Sequence, residues 1–158
     1  MRLAVISHKL CWKTKESPSG YATDGGFPLQ MKAISELFSA TCLVIPCEFS
    51  IAPNGLTALD GNNLKVTNLS IPKGSGWRRK IGMLPWLLKN SAIIWREIRR
   101  ADAVHTPIPG DVGTIGMLFA MLLKNLFSSG IAGIGWCKRR QPSGFGVGVW
   151  KSLPAAEM

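Results

Sequence analysis

The sequence predicts an α/β protein with a parallel sheet, on the basis of two observations. Short runs rich in β-branched residues alternate with longer stretches whose apolar residues recur at helical spacing. The composition, 46% hydrophobic and 18% charged over 158 residues, is that of a folded domain with a core. Because the alternation persists to about Asn125 and then stops, we expect one domain followed by an irregular tail.

The first third of the chain predicts a βαβ unit. Residues 2–7 (RLAVIS) have the pattern of a buried strand, and residues 13–26 form a polar loop rich in structure-breaking residues. A helix is expected over residues 27–38, followed by a second buried strand over residues 40–47 (ATCLVIPC). Two strands joined through a helix require a right-handed parallel crossover.

The helix predicted over residues 27–38 has a proposed apolar face. Its members are Leu29, Ile34, Leu37 and Phe38. Pro28 falls near the first turn, where its missing N–H has no helical partner to lose.

The pattern continues with strand, helix, strand and helix. Residues 62–72 suggest a strand, and residues 81–100 suggest a helix with basic residues near its end, where they suit the helix dipole. Residues 101–109 read as a strand that ends in a turn. Residues 110–125 then form a helix for which Asp111 is a candidate N-cap.

The chain is strongly basic, with a formal charge of +10. Such an excess suits nucleic acid, anionic lipid or phosphorylated ligands. No known nucleic-acid reader motif accompanies the charge, so we expect no nucleic-acid partner. Residues 73–100 alone hold eight basic residues and a single acid, Glu97.

Two interpretations of this basic segment stay open. It is either a helix on an anionic membrane surface, with tryptophans and arginines interleaved, or a core-facing helix with a solvated basic side. The residues that would form the anionic-ligand surface are Arg78, Arg79, Lys80, Arg96, Arg99 and Arg100.

The remaining sequence signals concern metals and location. The four cysteines lack metal-binding spacing and are interpreted as buried free thiols, so neither a metal nor a cofactor is expected. The apolar run at the N-terminus is too short for a signal peptide, and Lys124 interrupts residues 112–127 before they could span a membrane. We expect a cytoplasmic protein, and the membrane interpretation of the basic segment would add peripheral binding at the inner face of the membrane.

Four residues are candidates for substrate binding. Gly25 and Gly26, in the segment TDGGF before the first helix, would let backbone N–H groups approach a phosphate, although a tight turn explains them equally well. His105 and Asp111 lie where a strand ends, which is the edge at which open α/β sheets bind ligands. A structural histidine and a helix cap are the alternatives.

Three segments, MRLAVIS, the DGG loop and ADAVHTPIPGDVGTIGMLFAMLL, together resemble the N-terminal half of family 4 glycosyltransferases. The resemblance covers residues 1–126 and implies a Rossmann-like parallel sheet, one half of the two-domain GT-B arrangement. In such enzymes the first domain mainly holds the acceptor, often at a membrane. The second binds the nucleotide-sugar donor through a paired-glutamate motif, so donor and acceptor are expected partners only where that domain is present.

Residues 127–158 depart from that family. Relatives would continue with a strand reading Phe-Val-Arg-His-Cys-Gly-Asn-Trp, whereas this chain reads FSSGIAGIGW. Read one base earlier, the codons of residues 129–135 can encode Val-Arg-His-Cys-Gly-Asn-Trp. We therefore expect a frameshift near Asn125 and a disordered tail that does not continue the sheet. The protein is then expected to be a truncated glycosyltransferase-like protein that is inactive alone. No catalytic residue is assigned. The alternative is a small basic module that binds a membrane surface or a partner.

Overall fold

A computed structural model describes residues 1–72, 74, 76–107, 110–123 and 126–129. The side chains of residues 76, 78, 80, 81 and 126–129 lie outside this description. The strands are β1 (Arg2–Ile6), β2 (Cys11–Lys13), β3 (Tyr21–Thr23), β4 (Ala40–Glu48), β5 (Thr57–Ala58), β6 (Leu64–Leu69), β7 (Ala103–Thr106) and β8 (Leu126–Ser129). The helices are α1 (Phe27–Ser35), α2 (Gly76–Arg100) and α3 (Asp111–Leu122).

The predicted α/β architecture with a mostly parallel sheet is confirmed. Five strands run parallel in the order β6-β4-β1-β7-β8, with β1 in the centre. Residue Val5 of β1 is in register with Leu43 of β4 on one side and with His105 of β7 on the other. Since all five strands point the same way, the loops after them meet at one edge of the sheet, here called the carboxyl edge. The opposite edge, where the strands begin, is the amino edge.

Side chains alternate between two faces of this sheet, and each face has its own core. Ala4 and Ile6 belong to a cluster that α2 and α3 cover, whereas Leu3 and Val5 belong to a cluster that includes Met31 of α1. This alternation is the period of two that a strand imposes. The central strand is therefore buried on both faces, as its uninterrupted apolar sequence predicts.

The apolar face predicted for α1 is wrong at two of its four positions. Leu29 is 68% exposed and Leu37 is 79% exposed, while Ile34 and Phe38 do pack against the core. The helix ends at Ser35, so Leu37 lies beyond it, and Met31 and Ser35 are the buried positions one turn apart. Leu29 lies inside the helix but two residues from Met31, which places it on the opposite side.

The loop predicted between β1 and α1 contains two short strands. β2 pairs antiparallel with β3, and β3 pairs with β5, so a small antiparallel extension adjoins the end of β4. The thiols of Cys11 and Cys47 face each other across this junction and are buried, as the sequence predicts. Their mutual hydrogen bond and burial raise the pKa of Cys11. Cys42 is partly buried, and Cys137 lies outside the described residues.

The sheet extends further along the chain than the sequence predicts. β8 pairs parallel with β7 through Ser129, so the expectation that the tail does not continue the sheet is wrong for residues 127–129. Strand pairing uses backbone groups, and the open side of β7 offers these to any residue except proline. The domain boundary after residue 126 and the disordered tail stay predictions, because residues 130–158 lie outside the description.

Helix α2 is anchored at its middle by a buried asparagine. The Asn90 side chain accepts a hydrogen bond from the Ser70 N–H at 3.0 Å and donates to the Ser70 hydroxyl and the Trp86 carbonyl, each at 2.7 Å. The Trp86 indole donates to the Ser70 carbonyl at 2.6 Å. These bonds fix the loop after β6 to α2, and so fix the position at which the helix crosses the sheet.

Within the described ranges, no helix combines the length and hydropathy needed to cross a bilayer.

Candidate functional site

The carboxyl edge of the sheet brings the loop after β1 close to the loop after β7. These strands are neighbours, and their crossovers run to opposite sides, through α1 to β4 and through α3 to β8. A crevice forms at such a point in parallel sheets, because the two helices leave in different directions. Ser7 and His8 follow β1 here, while Gly110 precedes α3.

Direct contact joins these two loops through His8 and Gly110. A Cβ added to Gly110 would overlap the imidazole of His8, so the ring lies against bare backbone. The backbone of Gly110 is extended, with φ at 168°, which any residue adopts. Glycine is therefore needed at this position for close approach and not for its conformational freedom.

Two further glycines hold α3 against the same edge. A Cβ on Gly113 would lie 2.6 Å from the Pro107 carbonyl oxygen, and one on Gly116 would lie 2.7 Å from Cβ of Ile6. The three glycines are spaced three residues apart, so they line one side of the helix. This spacing is a sequence signal that our sequence analysis missed.

Asp111 occupies the first position of α3 and is not its N-cap. Gly110 is the N-cap residue, so the predicted capping role of Asp111 is wrong. The carboxylate instead forms an ion pair with Arg79 of α2, with 2.8 Å between Oδ2 and Nε. A carboxylate in the first turn also suits the positive end of the helix dipole. Both side chains are partly exposed, so the pair contributes only about 0–1 kcal/mol.

The DGG loop is tied to the loop after β1 by a second ion pair. The Lys9 ammonium lies 2.7 Å from the Asp24 carboxylate, and its hydrogen bond holds the pKa of Asp24 below the usual value. Gly25 has φ at +73°, a conformation that favours glycine, and Gly26 is the N-cap of α1. Lys9, which the sequence analysis missed, thus stands beside the proposed phosphate loop, with its charge shared by Asp24.

His105 and Thr106 place two polar groups at the end of β7. Nε2 of His105 and Oγ1 of Thr106 are buried and have no hydrogen-bond partner among the described residues. Successive strand residues point to opposite faces, so the two groups flank the strand. Burial lowers the pKa of the His105 imidazole, which favours the neutral ring at physiological pH.

The basic residues of α2 that were proposed as one surface divide between its two ends. Arg79 lies at the carboxyl edge beside Asp111, while Arg96, Arg99 and Arg100 lie in the last turns at the amino edge. Seventeen residues of helix separate Arg79 from Arg96, a distance of about 26 Å. The side chains of Arg78 and Lys80 lie outside the description. The six residues proposed as one surface therefore include two groups far apart.

Comparisons with known proteins return no relative. The chain matches no family model, no curated protein and no solved structure. In the part of the chain that the structure describes, no group of three histidine, cysteine, aspartate or glutamate side chains is placed to hold a metal ion.

Proposed function

We propose that the chain is the acceptor-binding domain of a family 4 glycosyltransferase, without transfer activity by itself. The contact of His8 with Gly110 carries this proposal. It gathers the ends of β1 and β7 and the start of α3 around one crevice at the carboxyl edge, and these elements carry His105, Gly110 and Asp111 of the resemblance. Ligands of open parallel sheets bind at this place.

The strand order gives further support to this proposal. Numbered only among themselves, the five parallel strands stand in the order 3-2-1-4-5, with the first strand in the centre. That is the order expected of a Rossmann-like domain, in which the crevice lies beside the first strand. Fold alone would fit many functions, so the order supports the domain type and not the reaction.

The groups at the crevice fit an acceptor better than a donor. A sugar or lipid acceptor offers hydroxyls, and His105 and Thr106 each have a buried polar atom without a partner among the described residues. Of the cations whose side chains the structure describes there, Lys9 and Arg79 are already paired with Asp24 and Asp111. A leaving diphosphate needs strong positive charge, which such paired cations supply poorly. We therefore assign that stabilisation to a separate donor-binding domain.

The test is to read the coding DNA beyond codon 125 one base earlier. We expect that frame to encode the strand FVRHCGNW and then a second domain with paired glutamates. The protein made from the restored frame should release nucleotide from a nucleotide sugar, and the 158-residue chain should not. The proposal would be refuted if stop codons interrupted that reading frame downstream of codon 125. Turnover by the 158-residue chain alone would also refute it.

Within the restored protein, Gly110→Ala tests the crevice itself. The added methyl group would displace His8, so turnover should fall by about tenfold or more. Leu37→Ala is the control, because that side chain is 79% exposed and lies beyond the end of α1, away from the crevice. Equal turnover by the two variants would mean that the crevice does not position the acceptor.

A second candidate function is binding to an anionic membrane surface, which the exposed face of α2 favours. Trp77, Leu84 and Leu88 are all exposed and recur at spacings of seven and four residues, so they share one stripe. Lys89 adjoins the stripe and adds positive charge. Apolar side chains with basic neighbours on an exposed helix are typical of attachment in the membrane interface.

Vesicle binding tests this candidate. Leu84→Glu combined with Leu88→Glu should weaken binding to phosphatidylglycerol vesicles by about a hundredfold or more, since each leucine would contribute about 1.5–3 kcal/mol on burial. Leu29→Glu, at an exposed position on α1, is the control and should bind as the parent chain does. Unchanged binding by the double variant, or an equal loss in the control, would exclude the stripe.

A further inference from the structure

We infer that a cleft at the amino edge of the sheet is a binding site for a small ligand bearing a phosphate monoester. The cleft has a volume of about 510 Å³ and lies between α2 and the first residues of β1, β4 and β6. It is on the opposite edge from the crevice described above. Its charged lining residues are Arg2, Lys65, Glu97 and Arg100.

Three elements place their cations around this one space. Arg2 is the first residue of β1, Lys65 is the second residue of β6, and Arg100 is the last residue of α2. Parallel strands begin at the same edge, and α2 ends there because it runs antiparallel to them. The convergence therefore follows from the topology, although the three residues are far apart in sequence.

The single carboxylate in the cleft cannot neutralise all three cations. Oε1 of Glu97 lies 2.9 Å from Nε of Arg96 and 3.8 Å from Nη1 of Arg100. Its other oxygen, Oε2, accepts a hydrogen bond from the Cys42 thiol at 3.7 Å. Glu97 is only 7% exposed, so its two oxygens are committed to these neighbours.

Arg2 and Lys65 are consequently left for a ligand. Among the residues that the structure describes, neither side chain has a carboxylate within ion-pair distance. The nearby Asp102 carboxylate accepts a hydrogen bond from the backbone N–H of Arg2 at 2.8 Å. The described lining therefore carries an excess of positive charge, which suits the dianion of a phosphate monoester.

The neutral lining of the cleft suits the rest of such a ligand. The Cys42 thiol and the Thr67 hydroxyl lie 3.3 Å apart on the wall, and Asn63 stands at the start of β6 with φ at 48°. Asn63 is held there by its amide, which donates to the Ser39 carbonyl at 3.1 Å. A volume of this size is within the range of small-molecule sites, whereas bare phosphate would occupy a small part of it.

Calorimetric titration of the 158-residue chain tests the inference, with glucose 6-phosphate as the probe and glucose as the neutral control. We expect saturable binding of the phosphate ester and none of glucose. Arg100→Gln and Lys65→Gln should each weaken binding by about tenfold or more, because each removes a charge-assisted contact. The control variant is Arg99→Gln, which removes the same charge from the same helical turn but does not line the cleft.

Binding that Arg99→Gln weakens as much as Arg100→Gln would overturn the inference, because it would then reflect overall charge. Absence of saturable binding to every phosphate probe would overturn it too. A parallel titration with phosphatidic acid vesicles separates a lipid headgroup from a soluble ester. Vesicle binding that depends on Arg100 and Lys65 would support phosphate recognition with a lipid as its source. None of these outcomes depends on the glycosyltransferase proposal, which concerns the other edge of the sheet.

Discussion

Replacing Gly116 with valine is expected to lower the free energy of unfolding by about 2–4 kcal/mol. A Cβ at this position would lie 2.7 Å from Cβ and Cγ2 of Ile6, a fully buried residue of the central strand. Relief would require α3 to move away from the sheet, with loss of packing along its length. Helix propensity alone predicts the opposite sign, because valine is a better helix former than glycine.

Urea unfolding followed by tryptophan fluorescence measures this effect. Leu118→Val serves as the control, since it places the same side chain at a 52% exposed position of the same helix, and its midpoint should stay close to that of the parent chain. A Gly116→Val variant as stable as the parent would show that α3 does not approach β1 as closely as described. The glycine spacing would then have no role in forming the crevice.

Replacing Asn90 with leucine is expected to lower the free energy of unfolding by about 2–4 kcal/mol. The change removes one acceptor and two donors from a side chain that is 1% exposed. It would leave the Ser70 N–H without its partner in a region that water reaches poorly. The leucine adds apolar contacts, but these cannot satisfy the abandoned backbone group.

The matched control for this substitution is Ser91→Ala at the next position of the same helix. The Ser91 hydroxyl makes one exposed bond of 3.4 Å to the Leu88 carbonyl, so its loss should change stability by less than about 0.5 kcal/mol. Equal unfolding midpoints for the two variants would contradict the anchoring role of Asn90. A large loss restricted to Asn90→Leu would support it.

Four of the five strands of the parallel sheet, all except β8, were predictable, and the apolar signal is continuous in β1 and β4. β1 and β4 are buried on both faces, so their sequences are apolar at nearly every position. β2, β3 and β5 have only two or three residues each, and pairing with neighbours stabilises them more than their own propensity does. Sequence patterns carry little information about such strands.

The candidate site was predictable in its location and not in its contacts. The positions of His105 and Asp111 follow from where a strand ends, which the pattern of residues 101–109 marks. The ion pair of Asp111 with Arg79 joins two helices, and the ion pair of Lys9 with Asp24 joins two loops. Both depend on the strand order, which no local segment of the sequence encodes.

Helix α2 has a mechanical consequence for the two edges of the sheet. Its 25 residues span about 37 Å and include Pro85, with Arg79 near one end, Arg100 at the other and Asn90 held between them. If α2 tilted about Asn90, its two ends would move at the same time and in opposite directions. The distance from Arg79 to Asp111 and the width of the cleft around Arg100 would therefore change together.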